Sequence, residues 1–332
     1  MKSRQQHKHI IVIDGTKSNL REGTETNAGL LYRLLQEATS HDNTTLWYNA
    51  GIQGHGLWNW VTIASGWGIN DMIKGAYTQL CKNYQPGDLI YLFGFSRGAY
   101  AARSVAGMIY RLGLVRQSSA RRRKINMAFH LYETDISGPP LETFRDLHCH
   151  RHVGIEMIGV WDTVKALGLP YPLLTHLAPM ATEFHDDQVS EPVKNAFQAL
   201  AIDEDRTAFS PVLWDTEPGW KGHLEQAWFS GAHADIGGHV NTRNSARGLS
   251  NIPLVWMLER VEICGIPLPL GWRDRFPCDP SATAIGNRAG IARFFLVRKS
   301  RVIGDKPGEY IHSSVARRNL SAPMSPQVQQ TQ

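Results

Sequence analysis

The chain has 332 residues, 42% of them hydrophobic, which is enough to bury the core of one large domain. A formal net charge of +5, from 35 basic and 30 acidic side chains, is too small to indicate a nucleic-acid surface. The four cysteines lack Cys-x-x-Cys spacing, so the sequence indicates neither a disulfide scaffold nor a zinc knuckle.

Strands and helices alternate from the first strand onward. The predicted strands cover residues 10–13, 46–49, 89–93, 156–161 and 224–229. The predicted helices cover residues 27–36, 69–84, 99–112, 193–202 and 252–263. This alternation favours an α/β fold with a mostly parallel central sheet and helices on both faces. We expect a single domain over residues 9–318, with insertions at about 115–152 and 170–192 as a cap, and a disordered tail over 319–332.

A Gly-x-Ser-x-Gly motif, Gly94-Phe95-Ser96-Arg97-Gly98, joins a buried strand to a helix rich in small residues. In that context the motif indicates a nucleophilic serine at the tip of a sharp, strained turn. Glycines two residues to either side leave room for the turn. The sequence therefore predicts Ser96 as a nucleophile.

An acid and a histidine follow in the chain order of the α/β-hydrolase triad. Asp162 comes directly after the strand at 156–161, and His233 lies in a glycine-flanked loop after the strand at 224–229. An imidazole can take the serine proton at neutral pH, and a carboxylate on its other nitrogen fixes the tautomer. Asp203 and Asp235 are alternative acids.

Other histidines and a metal site remain open alternatives. His239 and His312 compete with His233 as the base, and His233, Asp235 and His239 could instead hold a metal ion. Otherwise we predict no metal and no cofactor.

Backbone N–H groups near Ser96 are needed to stabilise a developing oxyanion. The N–H of Arg97, at the start of the following helix, is the first candidate. Gly15 or Thr16, in the loop after the first strand, is the candidate for the second.

The sequence also bears on location. Residues 1–9 are polar and basic, without the apolar segment of a signal peptide, and no apolar run approaches the roughly 20 residues of a membrane span. We expect a protein that is cytoplasmic as made and exported, if at all, by a dedicated secretion machine.

Several separated motifs resemble an α/β-hydrolase domain family that includes the type VI secretion lipase effectors of family 1. The resemblance runs over most of residues 9–318. It is carried by the segments 14–16, 26–27, 84–88, 94–103, 160–164, 199–204, 228–238 and 309–315. One departure is Phe197-Gln198-Ala199-Leu200-Ala201, where the family has His-Ala-Leu-Ala.

The resemblance implies a Ser-Asp-His triad, matched here by Ser96, Asp162 and His233, and phospholipase A activity on membrane phospholipids. It implies an ester substrate, transient contact with a membrane surface, and an immunity protein or a secretion-machine component as partners. Trp58, Trp60 and Trp67 are candidates for an acyl pocket or lid, or for core packing. The alternatives are an esterase or thioesterase acting on a small soluble substrate, and a catalytically idle hydrolase-fold binding module.

Overall fold

The computed structural model describes residues 6–16, 18–39, 43–52, 67–164, 188–240, 243–288 and 297–321. Several predictions fall outside the described residues. They concern Trp58, Trp60, the side chain of Trp67, residues 170–187 of the predicted cap and residues 322–332 of the predicted tail.

A seven-stranded sheet forms the centre of the molecule. Eleven strands are described: β1 (Lys8–Ile13), β2 (Thr44–Asn49), β3 (Leu89–Phe95), β4 (Leu114–Val115), β5 (Cys149–His150), β6 (Ile155–Trp161), β7 (Gln188–Val189), β8 (Val193–Ala201), β9 (Asp215–Thr216), β10 (His223–Phe229) and β11 (Glu309–Ile311). The sheet has the order β11-β10-β8-β6-β3-β1-β2, and all six of its strand pairs are parallel. The carboxyl ends of its strands therefore meet at one edge.

Helices cover both faces of this sheet. The described α-helices are α1 (Asn27–Ala38), α2 (Trp67–Asn83), α3 (Arg97–Leu112), α4 (Arg122–Glu133), α5 (Pro139–His148), α6 (His233–Gly237), α7 (Arg247–Ile263) and α8 (Ser314–Ser321). Ile11 and Ile13 of β1 pack into the core layer with α2 and α3, whereas Ile10 and Val12 pack into the layer with α1 and α7. Because both faces of β1 are buried, its sequence is a continuous apolar run. The predicted α/β class is confirmed.

One predicted helix is wrong. Residues 193–202 were expected to be helical, but Val193–Ala201 forms β8, which lies between β6 and β10. Ala, Gln and Leu favour helices, and a strand buried on both faces shows no alternation of polar and apolar residues. The burial of this segment inside the sheet overrides its local preference.

The insertion at 115–152 folds as α4, α5 and the antiparallel pair β4–β5. Its helix α4 packs against α2 and α3 on the flank of the sheet. The role of this insertion as a cap remains a prediction. Among the described helices, none is long and apolar enough to cross a membrane.

Candidate active site

The strand order changes direction between β1 and β3, and Ser96 lies at this point. Open α/β sheets bind ligands at such a switch point, beyond the carboxyl ends of the strands. Phe95 pairs with Trp161 in register, so Ser96 and Asp162 leave adjacent strands at the same level. The site is thus built where sheet topology opens a crevice.

Ser96 has a strained backbone. Its φ is +59° and its ψ is −122°, a combination that residues other than glycine rarely adopt. Gly94 and Gly98 permit the turn by close approach. A Cβ on Gly94 would lie 2.4 Å from the carbonyl oxygen of Gly98, and a Cβ on Gly98 would lie 2.2 Å from that of Ile13. The backbone of the turn therefore packs directly against the end of β1, which leaves no room for a side chain at residue 98.

His233 begins α6 and reaches back to the serine. Its Nε2 lies 2.9 Å from Ser96 Oγ. The rings of Phe95 and Phe209 pack against the imidazole, each with a centroid separation of 4.9 Å. His233 is 6% exposed, so its imidazole is largely shielded from solvent beside Ser96.

Asp162 contacts the other side of the imidazole. Its Oδ2 lies 2.6 Å from His233 Nδ1, and its side chain is fully buried. Burial alone would raise the pKa of this carboxyl, but the charge of Arg301 and the hydrogen bond from His233 lower it below its ordinary value. An ionised carboxylate only accepts hydrogen bonds, so Nδ1 carries the proton and Nε2 is left to accept one from Ser96.

Asp162 also has a positive φ, +40°. Among the described residues, Ser96, Asp135 and Asp162 are the non-glycine residues with positive φ. Two of the three therefore contact the same imidazole. Such strain clusters at functional sites, where the surrounding structure enforces it.

Arg301 is a site residue that the sequence analysis missed. Its guanidinium donates to both oxygens of Asp162, at 2.5 and 3.0 Å. An isolated arginine in an irregular segment carries no recognisable signal, since its partner is 139 positions away in the sequence.

The alternative acids have other partners. Asp203 accepts the N–H of Gly231 at 2.6 Å. Asp235 accepts backbone N–H groups, from Ala232 at 2.9 Å and Ile285 at 2.7 Å. Neither carboxylate has a hydrogen bond to the His233 ring among those described.

The hydrogen bonds described for the alternative bases go to groups other than Ser96 and Asp162. His312 Nδ1 contacts Ser314 Oγ at 2.9 Å, and its ring packs on Phe229. The backbone N–H of His239 donates to the carbonyl of Ala234 at 2.9 Å. Across the described ranges, no cluster of three or more His, Cys, Asp or Glu side chains is arranged to hold a metal ion.

The two sources predicted for oxyanion donors lie side by side. The N–H of Arg97 is at the amino end of α3, where the first amides have no partner within the helix. The N–H of Gly15 already donates to the Asp14 carboxylate at 2.7 Å. Thr16 contacts Arg97 through its hydroxyl, which accepts from the guanidinium. Of the two candidates after β1, Thr16 is therefore favoured.

Comparison with known proteins identifies related chains. The model of a family described as T6SS, phospholipase effector Tle1-like, catalytic domain, matches residues 7–260. The uncharacterized protein YEL023C of Saccharomyces cerevisiae is 29% identical over 235 residues, covering 63% of this chain and 33% of the yeast protein.

Two solved structures are also similar. An uncharacterized protein from Pseudomonas aeruginosa has a TM-score of 0.47 and 16% identity, covering 83% of this chain and 49% of that one. The Tle1 effector bound to the VgrG spike of the type VI secretion system has a TM-score of 0.39 and 19% identity, covering 70% and 51%. This chain spans about a third to a half of the length of these relatives.

Proposed function

The chain belongs to the Tle1-like catalytic domain family of type VI secretion phospholipase effectors, and on this premise we propose that it is a serine hydrolase of phospholipid acyl esters. The observation that carries the proposal is the relay from Ser96 through His233 to a buried Asp162, with distances of 2.9 and 2.6 Å. A strained serine beside a braced imidazole is the arrangement that nucleophilic catalysis requires.

The proposed reaction passes through an acyl-enzyme. Ser96 Oγ attacks the ester carbonyl carbon while His233 Nε2 takes its proton, and the resulting oxyanion accepts hydrogen bonds from the N–H groups of Arg97 and Thr16. His233 then returns the proton to the leaving alkoxide as the C–O bond breaks. A water molecule, deprotonated by the same imidazole, then attacks the acyl carbon. The second tetrahedral intermediate collapses as the imidazolium returns this proton to Ser96 Oγ, which breaks the bond from Ser96 Oγ to the acyl carbon and releases the fatty acid.

We propose the wider context from the family and from one relative. The substrate is a phospholipid met at a membrane surface, and the partners are a secretion-machine component and an immunity protein. The Tle1 effector, whose solved structure is a complex with the VgrG spike, supports the first of these partners. The protein is cytoplasmic as made. Residues 9–318 are proposed as a single domain, since β11 at Glu309–Ile311 pairs with β10 in the central sheet.

Labelling with a fluorophosphonate probe tests the mechanism. We expect wild type to be labelled and Ser96→Ala not to be. Ser104→Ala, which alters a buried serine of the same helix α3, is the matched control and should label like wild type. A folded wild type that does not label would contradict the activated serine and favour a binding module.

Substrate class is tested in parallel with phospholipid vesicles and short p-nitrophenyl esters. Fatty acid released from vesicles by wild type but not by Ser96→Ala would support the phospholipase. Cleavage of the short esters alone would instead indicate an esterase or thioesterase for a small soluble substrate.

A further inference from the structure

Arg301 is an unusually buried arginine. Its side chain is 4% exposed, and its guanidinium makes four hydrogen bonds at one place. Nη1 donates to Asp162 Oδ1 at 2.5 Å and to the Ala201 carbonyl at 2.8 Å. Nη2 donates to Asp162 Oδ2 at 3.0 Å and to the Phe209 carbonyl at 2.6 Å. A planar guanidinium that contacts both carboxylate oxygens sets the plane of that carboxylate.

The remaining lone pairs of Asp162 are equally committed. Oδ1 also accepts the N–H of Ala201 at 3.0 Å, and Oδ2 also faces His233 Nδ1 at 2.6 Å. Ala201 and His233 each contact one oxygen, whereas the planar guanidinium of Arg301 contacts both oxygens and so restrains rotation about the Cβ–Cγ bond further. The bidentate contact from Arg301 keeps Oδ2 aimed at the imidazole.

We propose that Arg301 is a positioning residue of the site, which holds the Asp162 carboxylate ionised and in plane so that His233 keeps its proton on Nδ1. This inference rests on the proposed function, because it concerns how the proposed base is prepared. Arg301 does not touch the reacting atoms and acts through Asp162. It lies beyond residue 260, where the match to the family model ends.

A second chain segment brings Arg301 to the site. Residues 297–301 run beside the loop that follows β8, with an antiparallel bridge between Arg206 and Arg298. The N–H of Lys299 donates to the Asp205 carbonyl at 2.7 Å, and the N–H of Thr207 donates to the Val297 carbonyl at 3.2 Å. These bonds are independent of Asp162, so they would hold the segment in place when the side chain at 301 is changed.

The charges around the Asp162–His233 pair define what Arg301 contributes. From the loop after β8, Glu204 accepts the His233 backbone N–H at 3.2 Å and is paired with Arg206 at 2.7 Å. From α6 itself, Asp235 accepts backbone N–H groups. Besides His233, Arg301 is the cationic side chain paired with Asp162 in the part of the chain that the structure describes.

Removing this charge has a predictable sign. Without the guanidinium, the carboxylate of Asp162 holds a proton more tightly, because a neighbouring positive charge opposes protonation. His233 must be neutral at Nε2 to accept the Ser96 proton. Because a protonated Asp162 no longer fixes the proton of His233 on Nδ1, the acidic limb of the pH profile of kcat/KM moves to higher pH.

The test compares Arg301→Met, Arg301→Lys and Arg298→Met on a soluble p-nitrophenyl ester. Arg298→Met is the matched control, because it removes an ion pair of the same segment with Asp205 and leaves Asp162 untouched. We expect Arg301→Met to move the acidic limb upward by about 1 pH unit or more. We expect its kcat to fall about 10-fold or more while KM changes little. Arg301→Lys keeps the positive charge but cannot contact both oxygens of Asp162 through one planar group. The acidic limb of its pH profile should therefore lie between those of wild type and Arg301→Met.

A readout that needs no turnover completes the test. The proton on His233 Nδ1 should give a downfield proton NMR signal in wild type, Ser96→Ala and Arg298→Met, and the signal should be shifted or lost in Arg301→Met. An unmoved limb and an unchanged signal in Arg301→Met would overturn the proposal, even if activity fell with the folded fraction. If Arg301→Met does not fold, a wild-type limb and signal in Arg301→Lys would likewise overturn it. An inactive wild type that shows the signal would contradict the proposed function alone.

Discussion

Replacing Asp162 by asparagine should reverse the tautomer of His233, since the side chain keeps its shape but loses one acceptor. The amide can be placed in two ways. With the amide oxygen at the Oδ2 position, the amide nitrogen faces two donors, the backbone N–H of Ala201 and Nη1 of Arg301. With the amide oxygen at the Oδ1 position, the amide nitrogen faces one donor, Nη2 of Arg301. The second placement has fewer conflicts, and it makes the amide donate to His233 Nδ1. The proton then moves to Nε2, which can no longer accept the proton of Ser96.

Two magnitudes follow from this arrangement. A serine hydrolase whose histidine is held in the wrong tautomer loses about 10⁴-fold in kcat, or roughly 5 kcal/mol of transition-state stabilisation. Separately, Arg301 keeps a buried charge that has lost its counter-ion, which destabilises a fold by about 3–5 kcal/mol. Asp162→Asn should therefore lose both activity and stability, and the two losses have different causes.

The assay measures both losses on the same protein. The rate of fluorophosphonate labelling reports the serine, and urea unfolding reports the free energy of unfolding. Asp203→Asn and Asp235→Asn are the controls, because those carboxylates accept backbone N–H groups and not the imidazole. Labelling of folded Asp162→Asn within 10-fold of wild type, together with loss of labelling in either control, would refute the assignment of the acid.

Two further predictions concern stability. Because the folded-state pKa of Asp162 is lowered, its contribution is present above the unfolded pKa of about 3.9 and is lost as pH falls toward the folded value. The difference in the free energy of unfolding between wild type and Asp162→Asn should shrink as the pH falls below about 4, and a difference that grows with acid would contradict this sign. Gly98→Ala places a Cβ 2.2 Å from the Ile13 carbonyl oxygen and should lose about 2 kcal/mol or more, together with labelling by the probe. Gly154→Ala, where a Cβ meets nothing within 4 Å, should change little, and equal unfolding midpoints for the two variants would argue against a crowded turn.

Local sequence pattern predicted the parts of the site that follow recognisable strands. Ser96 and Asp162 follow β3 and β6, whose apolar runs are continuous because the strands are buried on both faces. Parallel pairing then places their carboxyl ends at one edge, which is why these residues and His233 could be expected to meet. The structure brings the three together, and their catalytic roles remain a proposal.

The failures have long-range causes. The segment Val193–Ala201 has helical composition, and its strand state depends on neighbours at both sides, β6 and β10. Strand β11 has three residues, too few for any periodicity. Arg301 is held at the site by contacts with Asp162 and with the loop after β8. These contacts join residues far apart in the sequence, so no local sequence pattern predicts them.

The position of Arg301 along the chain also sets when the site can be completed during synthesis. Ser96, Asp162 and His233 all leave the ribosome before Arg301, and domains assemble from the amino end as the chain emerges. Until residue 301 arrives, the carboxylate of Asp162 has no guanidinium to compensate it, and the sheet still lacks its edge strand β11. On the proposed role of Arg301, the site of a nascent chain is therefore incomplete until residue 301 has left the ribosome. Under the proposed function, hydrolysis would therefore begin only after residues 297–311 have been synthesised.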